Sequence, residues 1–474
     1  MAKGTAFLAG IITFLFGIFA ASSGWSFYVT EILFLVFVLV GFHVWFSKTK
    51  LLRILKFTAI LLISLGVGFF YYNFYYNFGT ERQNVVFGKA LNFSGVVSGE
   101  PALNEKFQKI EVKLDLPLKG EATVLAPLSP KFDYGDKIGF SGIIEAPTEA
   151  YLNPISFFPS ASLIEKHKGF WIKEKLLNFK QGQIAVFRKL LNQDEAALIS
   201  GITFGFRGDF TSEFKAQMSQ SGTTHIVALS GYNIAILVSA IFFVFNRYIS
   251  RRKTFYLTAG IILLFVLMVG AEASVVRAAI MGFLVLLARE IGRPHDGFRI
   301  LTLTALVMAL VNPSILHYDI GFQFSFLSLM GILYLEPILK MIFRLDKRAP
   351  SFFGWRENAL STFSAQLFVA PILIQSFGQF SLTSILANVL ILEVVPLTMF
   401  FGFLLSFFGS ILMPLGFLVS KFASILLWYQ VEVIRIFSWI RIPVGGAFIS
   451  YSVIVIYYAV LIGFIIYKNY GKKI

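Results

Sequence analysis

Long apolar segments, most with few charged side chains or none, constrain this chain more than any other feature. They fall at about 5–22, 27–46 and 54–76, and again at about 225–246, 254–270, 271–289, 298–312, 320–340, 358–378, 383–412, 414–434 and 449–467. A run of roughly 20 apolar residues coiled as a helix is long enough to cross ~30 Å of hydrocarbon. In hydrocarbon a helix also satisfies its own backbone groups, which an open strand or loop cannot do. The whole chain of 474 residues is only 14% charged, against roughly 25% in a soluble domain. The fold class that follows is a multi-span α-helical integral membrane protein. Pro396 and Pro414 interrupt the late runs, and Lys421 and Arg435 lie in or beside one of them, so re-entrant or interfacial helices are expected in that part.

A different texture separates the third run from the fourth. From about 80 to 165, short β-prone stretches such as "KFQKIEVKL" and "YGDKIGFSGIIEAP" alternate with Gly, Pro and Asn. That spacing predicts a small water-facing β-barrel or sandwich. Between 89 and 149 its acids outnumber its lysines, the wrong sign for a strong phosphate footprint. Residues 166–224 then read as helix. Glu174 alone opposes Lys166, Lys168, Lys173, Lys175, Lys180, Arg188 and Lys189, with Phe170 and Trp171 among them. This is the pattern of a helix lying at a membrane surface. The expected organisation is therefore N-terminal spans over 1–78, a β domain over 79–165, a basic amphipathic connector over 166–224, a helical core over 225–468 and a basic tail over 469–474.

Charge also sets the expected orientation. The formal net charge is +15. The clusters "SKTKLLRILK", "RYISRRK", "REIGRPHDGFR" and "KMIFRLDKR" fall on alternate loops. The tail "KNYGKKI" joins them if 383–434 crosses twice. Cytoplasmic loops collect Lys and Arg, so both termini are expected inside and 79–224 outside the cytoplasmic membrane. There is no cysteine, which excludes disulfides, thiolate metal sites and cysteine nucleophiles. No two of the five histidines stand at a local zinc spacing. No glycine loop with Gly-Lys-Ser/Thr is present for a nucleotide phosphate, and no cofactor is expected.

Polar groups inside a span are costly unless paired or hydrated, so they are the candidate functional residues. In "SGTTHIVALSGYNIAILVSA", Thr223, Ser230 and Asn233 would lie within about 80° on an ideal helix, and His225 and Tyr232 within about 20°. They either line a polar path or bond a neighbouring helix. In "GAEASVVRAAIMG", Ser274, Ala278 and Gly282 form a small-residue stripe for close helix packing. Arg277, with Glu272 as a possible partner, sits about 9 Å into the span. Further polar positions are Asp319, Gln323, Ser325 and Ser328, then Gln366, Gln375 and Gln379, then Asn388 and Glu393.

Taken in order, "GTTHIVALSGYNI", "SVVRAAIM", Asn312–Phe326 and Pro371–Leu390 resemble the competence DNA-internalisation channel family (ComEC type). The likeness covers roughly 190–440, and more loosely 80–165, where that family has an external OB-type domain. The resemblance implies import of single-stranded DNA during natural transformation, through a polar path that would include Thr223, His225, Ser230, Asn233, Arg277, Gln323, Ser325, Gln366 and Asn388. It implies a transport channel and not an enzyme, with no catalytic or metal residues. Implied partners are single-stranded DNA, the lipid bilayer, an external DNA-delivery apparatus, a cytoplasmic translocase ATPase and a separate nuclease. The form it resembles lacks the C-terminal metallo-β-lactamase-like nuclease domain, whose clustered His-x-His-x-Asp-His motif is absent from this sequence. Tyr232 and Asn233 stand where Leu and His are common in the family. A different reading is an intramembrane enzyme or carrier of a lipid-linked substrate, using His225, Ser230 and Glu393. The orientation is checked with reporter fusions. A periplasmic-type phosphatase joined after residue 165 should be active and a fluorescent protein at the C-terminus should glow; the opposite pair of results would refute the assignment.

Overall fold

The computed structural model describes residues 2–24, 50–79, 85, 87–104, 106–147, 153–206, 208–227, 229, 231–294, 296–343, 345, 355–377, 380–381, 383–440, 443–444 and 450–470. The expected span at 27–46, Ser230 and Gln379 lie outside these. The chain divides into two units. One comprises Met1–Leu177 and Phe283–Phe322, and the other Asn178–Gly282 and Gln323–Ile474.

In the first unit, α1 (Ala2–Ser22) packs along α2 (Lys50–Phe74). Two glycines permit the close approach. A methyl at Gly17 would lie 2.1 Å from the carbonyl oxygen of Leu65, and one at Gly68 2.1 Å from that of Phe14. Helices α9 (Gly297–Val311) and α10 (Ile315–Tyr318) complete this bundle. Tyr71 donates to the carbonyl of Leu310 at 2.6 Å, and Tyr318 to that of Ser22 at 2.9 Å. Ile18, Tyr72 and Ala309 form its buried centre.

The β domain follows the period-2 rule of a half-buried sheet. Its strands are β1 (Ala90–Val97), β2 (Ala102–Leu103), β3 (Gln108–Leu114), β4 (Glu121–Ala126), β5 (Lys137–Ile143), β6 (Ile155–Phe157) and β7 (Ser160–Glu165). Along β3, Gln108, Ile110, Val112 and Leu114 are buried and the residues between them exposed. With Phe93, Val124, Ile138 and Phe140 the three apolar members make one core. Buried Gln108 is not an exception to burial costs, because its amide donates to the carbonyls of Pro127 and Pro130, each at 2.6 Å. The strand order is β6-β4-β3-β1-β5-β7, with β2 beside β3. The β4–β6 pair is parallel and the others are antiparallel. The sheet is mixed and does not close into a barrel. One isolated bridge, Glu145 to Ile155, connects the end of β5 to β6.

Helix α3 (Trp171–Leu190) starts against this sheet. Lys173 donates to the carbonyl of Ser98 at 2.7 Å and lies 4.5 Å from the centre of the Tyr134 ring. Burial pulls its ammonium below the ordinary lysine range, against the attraction of Glu111 and Glu121. His167 pairs with Glu174 in the first turn.

The second unit holds the rest of α3, α4 (Gln193–Phe204), α5 (Ser212–Ser221), α6 (Gly231–Phe245), α7 (Arg251–Val269), most of α11 (Ile320–Met330), α12 (Glu336–Ile342), α13 (Trp355–Phe377), α14 (Thr383–Leu392), α15 (Val395–Ile411), α16 (Met413–Trp439) and α17 (Tyr451–Tyr470). The first half of α8 (Ala273–Glu290) belongs here as well. A π-helical turn, Gly331–Leu335, joins α11 to α12. Six helices among the described residues are long and apolar enough to cross a membrane, or seven if the bent pair α14–α15 is one span. Helix α8 is also apolar but carries Arg277, Arg289 and Glu290 within its 18 residues.

One expectation needs adjusting. The inner face of α3 carries not only Leu177, Ile184 and Phe187 but also Lys180 and Gln183, all buried. Gln183 accepts from Ser406 at 2.6 Å and from Ser410 at 3.0 Å, so this part of α3 is packed on α15 as well as exposed on its basic side. The glycine contact between α1 and α2 gives a direct test. Gly68→Ala should destabilise by about 1–3 kcal/mol, read as a lower Tm in detergent; an unchanged Tm would mean the helices are not this close.

Candidate functional site

Local geometry decides where the expected polar residues point. The stretch from Ser221 to Asn233 is not one helix. Gly222, at φ +70°, ends α5 in the left-handed region, where glycine carries no Cβ penalty. A single 3-10 turn follows at Thr224–Ile226, and α6 begins at Gly231. The common face expected of Thr223, Ser230 and Asn233 on an ideal helix is therefore not the arrangement present. Thr223 is buried and shares a 2.7 Å hydrogen bond with Ser221. His225 is exposed on the 3-10 turn. Asn233 is buried, and its amide donates at 3.0 Å to the carbonyl of Ile202, one of the last-turn carbonyls of α4. Such carbonyls have no partner within their own helix.

The stripe on α8 faces α6. Ser274 donates to the carbonyl of Leu229 at 3.1 Å. A methyl at Gly231 would lie 3.7 Å from Cβ of Ala278, and one at Gly282 would lie 3.7 Å from Val238. Arg277, on the same helix, is buried, with its guanidinium 5.9 Å from the centre of the Phe326 ring on α11. Gln323 and Ser325 are half-buried on that helix. Asp319 holds its start by accepting from the backbone of Phe322 at 2.9 Å. On α13, Gln366 donates to Ser384 of α14 at 3.4 Å, and Asn388 is buried one turn further along α14. The expected residues thus fall into three groups: Thr223 with Asn233 around α4–α6, Arg277 with α11, and Gln366 with Asn388 on α13–α14.

A polar seam that the sequence reading did not single out runs through α3, α4, α15 and α16. Beyond Lys180 and Gln183, it includes buried Glu195, whose two carboxylate oxygens lie 3.1 and 3.0 Å from the hydroxyl of Ser424. Gln430 donates to Thr398 at 2.6 Å. A methyl at Gly402 would lie 2.6 Å from Oγ1 of Thr203, so α4 and α15 meet at their polar side. Polar residues on an otherwise apolar face at helical spacing are the signal that could have found Lys180 and Gln183.

Several of these side chains keep a buried oxygen with no protein hydrogen-bond partner. They are Oγ1 of Thr203, Oγ of Ser364, Oε1 of Gln366, Gln375 and Gln430, and Oδ1 of Asn388. Most buried polar groups in proteins are satisfied, by protein or by ordered water. These six lie on α4, α13, α14 and α16, and their number is within what native proteins carry. No group of three His, Cys, Asp or Glu among the described residues could hold a metal ion.

Apolar helices of membrane-crossing length, polar side chains turned inward and an inserted mixed sheet define a multi-pass membrane protein. The model of the family described as "Competence protein" matches residues 202–470, more than half of the chain, and the chain belongs to that family. It is similar to ComE operon protein 3 of Bacillus subtilis (strain 168), 28% identical over 219 residues. That alignment covers 46% of this chain and 27% of the relative, so the chain spans about a quarter of the relative's length. No solved structure matches.

Asn233 separates a structural from a path-lining role. Asn233→Ala leaves the Ile202 carbonyl short of a donor, which should cost about 1–3 kcal/mol and lower Tm. A normal Tm with impaired DNA uptake would instead make Asn233 part of a path.

Proposed function

We propose that the chain is a conduit that carries single-stranded DNA inward across the cytoplasmic membrane during natural transformation. The observation that carries this reading is the set of buried, partnerless oxygens within the family-matched helices, from Thr203 to Gln430. In a lipid-embedded bundle an unsatisfied polar group costs several kcal/mol, and internal water would satisfy these oxygens. A hydrated route lined by amides and hydroxyls, with Arg277 at one side, suits a flexible polyanion.

Thr223, His225, Ser230, Asn233, Arg277, Gln323, Ser325, Gln366 and Asn388 are the residues we assign to that route, now joined by Thr203, Gln375 and Gln430. Both termini face the cytoplasm and the β domain lies outside. We read the β domain as OB-like. Its order β6-β4-β3-β1-β5, one parallel pair and the Glu145–Ile155 bridge fit a partly open five-stranded Greek-key barrel. The conduit supplies no energy itself. An external apparatus delivers DNA, a cytoplasmic ATPase draws it in and a separate nuclease removes the second strand. The alternative, an intramembrane enzyme built on His225, Ser230 and Glu393, gains no support from an exposed His225.

The test is uptake of labelled DNA by cells in which the gene is deleted, then restored with Arg277→Ala, Arg277→Lys or Asn388→Ala. Uptake should vanish on deletion, return with wild type, and fall several-fold with Arg277→Ala while Arg277→Lys retains part of it. Unchanged uptake in the deletion would contradict the reading.

A further inference from the structure

The β domain holds an open cleft of about 700 Å³, a volume within the range of ligand sites. Its floor is made by β1, β5 and β7, and its border by the turn between β3 and β4. Phe93, Phe140 and Ala161 pack on the core side of the sheet. By the period-2 rule their neighbours Asn92, Ser94, Ser141, Ser160 and Ser162 stand on the other face. Strand register sets these in two rows. Asn92 lies opposite Ser141 and Ser141 opposite Ser160, while Ser94 lies opposite Gly139 and Gly139 opposite Ser162. Neighbouring strands are about 4.8 Å apart, so the first row is a short ladder of amide and hydroxyl groups. The second has a gap at Gly139.

An irregularity covers that gap. The β5–β7 register shifts between Lys137 and Ile138, which face Glu165 and Leu163 and leave Ile164 as the extra residue. A bulge re-aims a side chain. Here Ile164 leans over Gly139, where a methyl would lie 3.2 Å from its Cδ1. Leu116, 77% exposed on the β3–β4 turn, gives the cleft a second apolar border.

Charge narrows the choice of occupant. Among the described residues that line the cleft, Asp115 alone is charged. It accepts from Ser94 at 2.8 Å and pairs with Lys137 at 3.0 Å. The lining therefore offers no free cation to a phosphate and no free carboxylate to an ammonium. What it does offer is Asn92, Ser141 and Ser160, whose side chains bond no other described residue. Amide and hydroxyl groups both donate and accept, as sugar hydroxyls do, and the C–H faces of a sugar ring suit an aliphatic border.

We infer that this cleft binds an uncharged glycan strand. The Asn92–Ser141–Ser160 row hydrogen-bonds its hydroxyls, and Leu116 and Ile164 pack on its rings. In the orientation proposed above the cleft faces the glycan of the cell envelope. Binding itself rests on the β domain alone and needs neither that orientation nor passage of DNA.

The test uses the purified full-length protein in nanodiscs, with tetra-N-acetylchitotetraose as the uncharged glycan and saturation-transfer difference NMR as the readout. Wild type should show saturable transfer to the sugar protons. Asn92 and Ser141 are exposed, so Asn92→Ala and Ser141→Leu should keep the wild-type Tm and each weaken binding about tenfold, the loss of one good hydrogen bond. Lys109→Ala, on β3 outside the cleft, should bind as wild type does. No saturable transfer in wild type, or undiminished binding in Asn92→Ala and Ser141→Leu, would overturn the site. Displacement of the sugar by a single-stranded oligonucleotide or by an uncharged peptide at equal concentration would also overturn it, in favour of a nucleic-acid or peptide groove. Should Ser141→Leu fail to fold, Asn92→Ala decides alone. Glycan binding with no DNA import refutes only the conduit, and the reverse result refutes only this site.

Discussion

The cost of an unsatisfied polar group in hydrocarbon organises this protein. Each span must close its own backbone hydrogen bonds, and each polar side chain must find a partner or water. Many do so locally. Thr254, Thr258, Thr302 and Thr304 donate to the carbonyl four residues earlier, and Ser328 to the one three earlier. Others bridge helices, as Gln183 does to Ser406 and Asn233 to the end of α4. The oxygens left over after that pairing lie on α4, α13, α14 and α16.

Packing supplies the frame in which those leftovers are held. Lipid is as apolar as a leucine, so helices in a membrane associate through close fit and hydrogen bonds. Small residues do this at several places. Gly17 and Gly68 bring α1 to α2, Ala278 and Gly282 set α8 on α6, and Gly331 lies against the Ser364 carbonyl of α13. Gly331 opens the π-helical turn that precedes buried Glu336, which accepts from Ser361 at 2.6 Å and pairs with Lys340 at 2.7 Å. Two acids of the second unit thus stand at helix irregularities: Glu336 after the π turn and Glu393 at the α14–α15 break.

Much of the fold was legible because apolar length is a local property. Runs at 254–270 and 358–378 appear as α7 and α13 within a few residues, and the interruption read from Pro396 is the bend between α14 and α15. The alternation in "KFQKIEVKL" likewise appears as β3. The strand order was not legible, since β4–β6 and β1–β5 pairing is set by contacts distant in sequence. The site was harder. Placing Thr223, Ser230 and Asn233 on one face assumed a continuous helix, which the left-handed Gly222 and the start of α6 at Gly231 rule out. Lys180 counts in the sequence as one more charge of a membrane-surface helix, because composition shows how many charges a helix carries but not which one turns inward. Only its phase with Leu177, Ile184 and Phe187 marks it.

Whether the interior is wet is the point on which the account rests. The chain has no cysteine, so single cysteines can be placed at 203, 366, 388 and 430, with 397 and 400 as outward-facing controls, and exposed to a charged, membrane-impermeant thiol reagent. Water in the bundle predicts rapid labelling at the first four positions, slowed by bound single-stranded DNA, and little at Leu397 and Phe400, which are 50% and 57% exposed on the outside of α15. Silence at all four interior positions in folded protein would contradict a hydrated path.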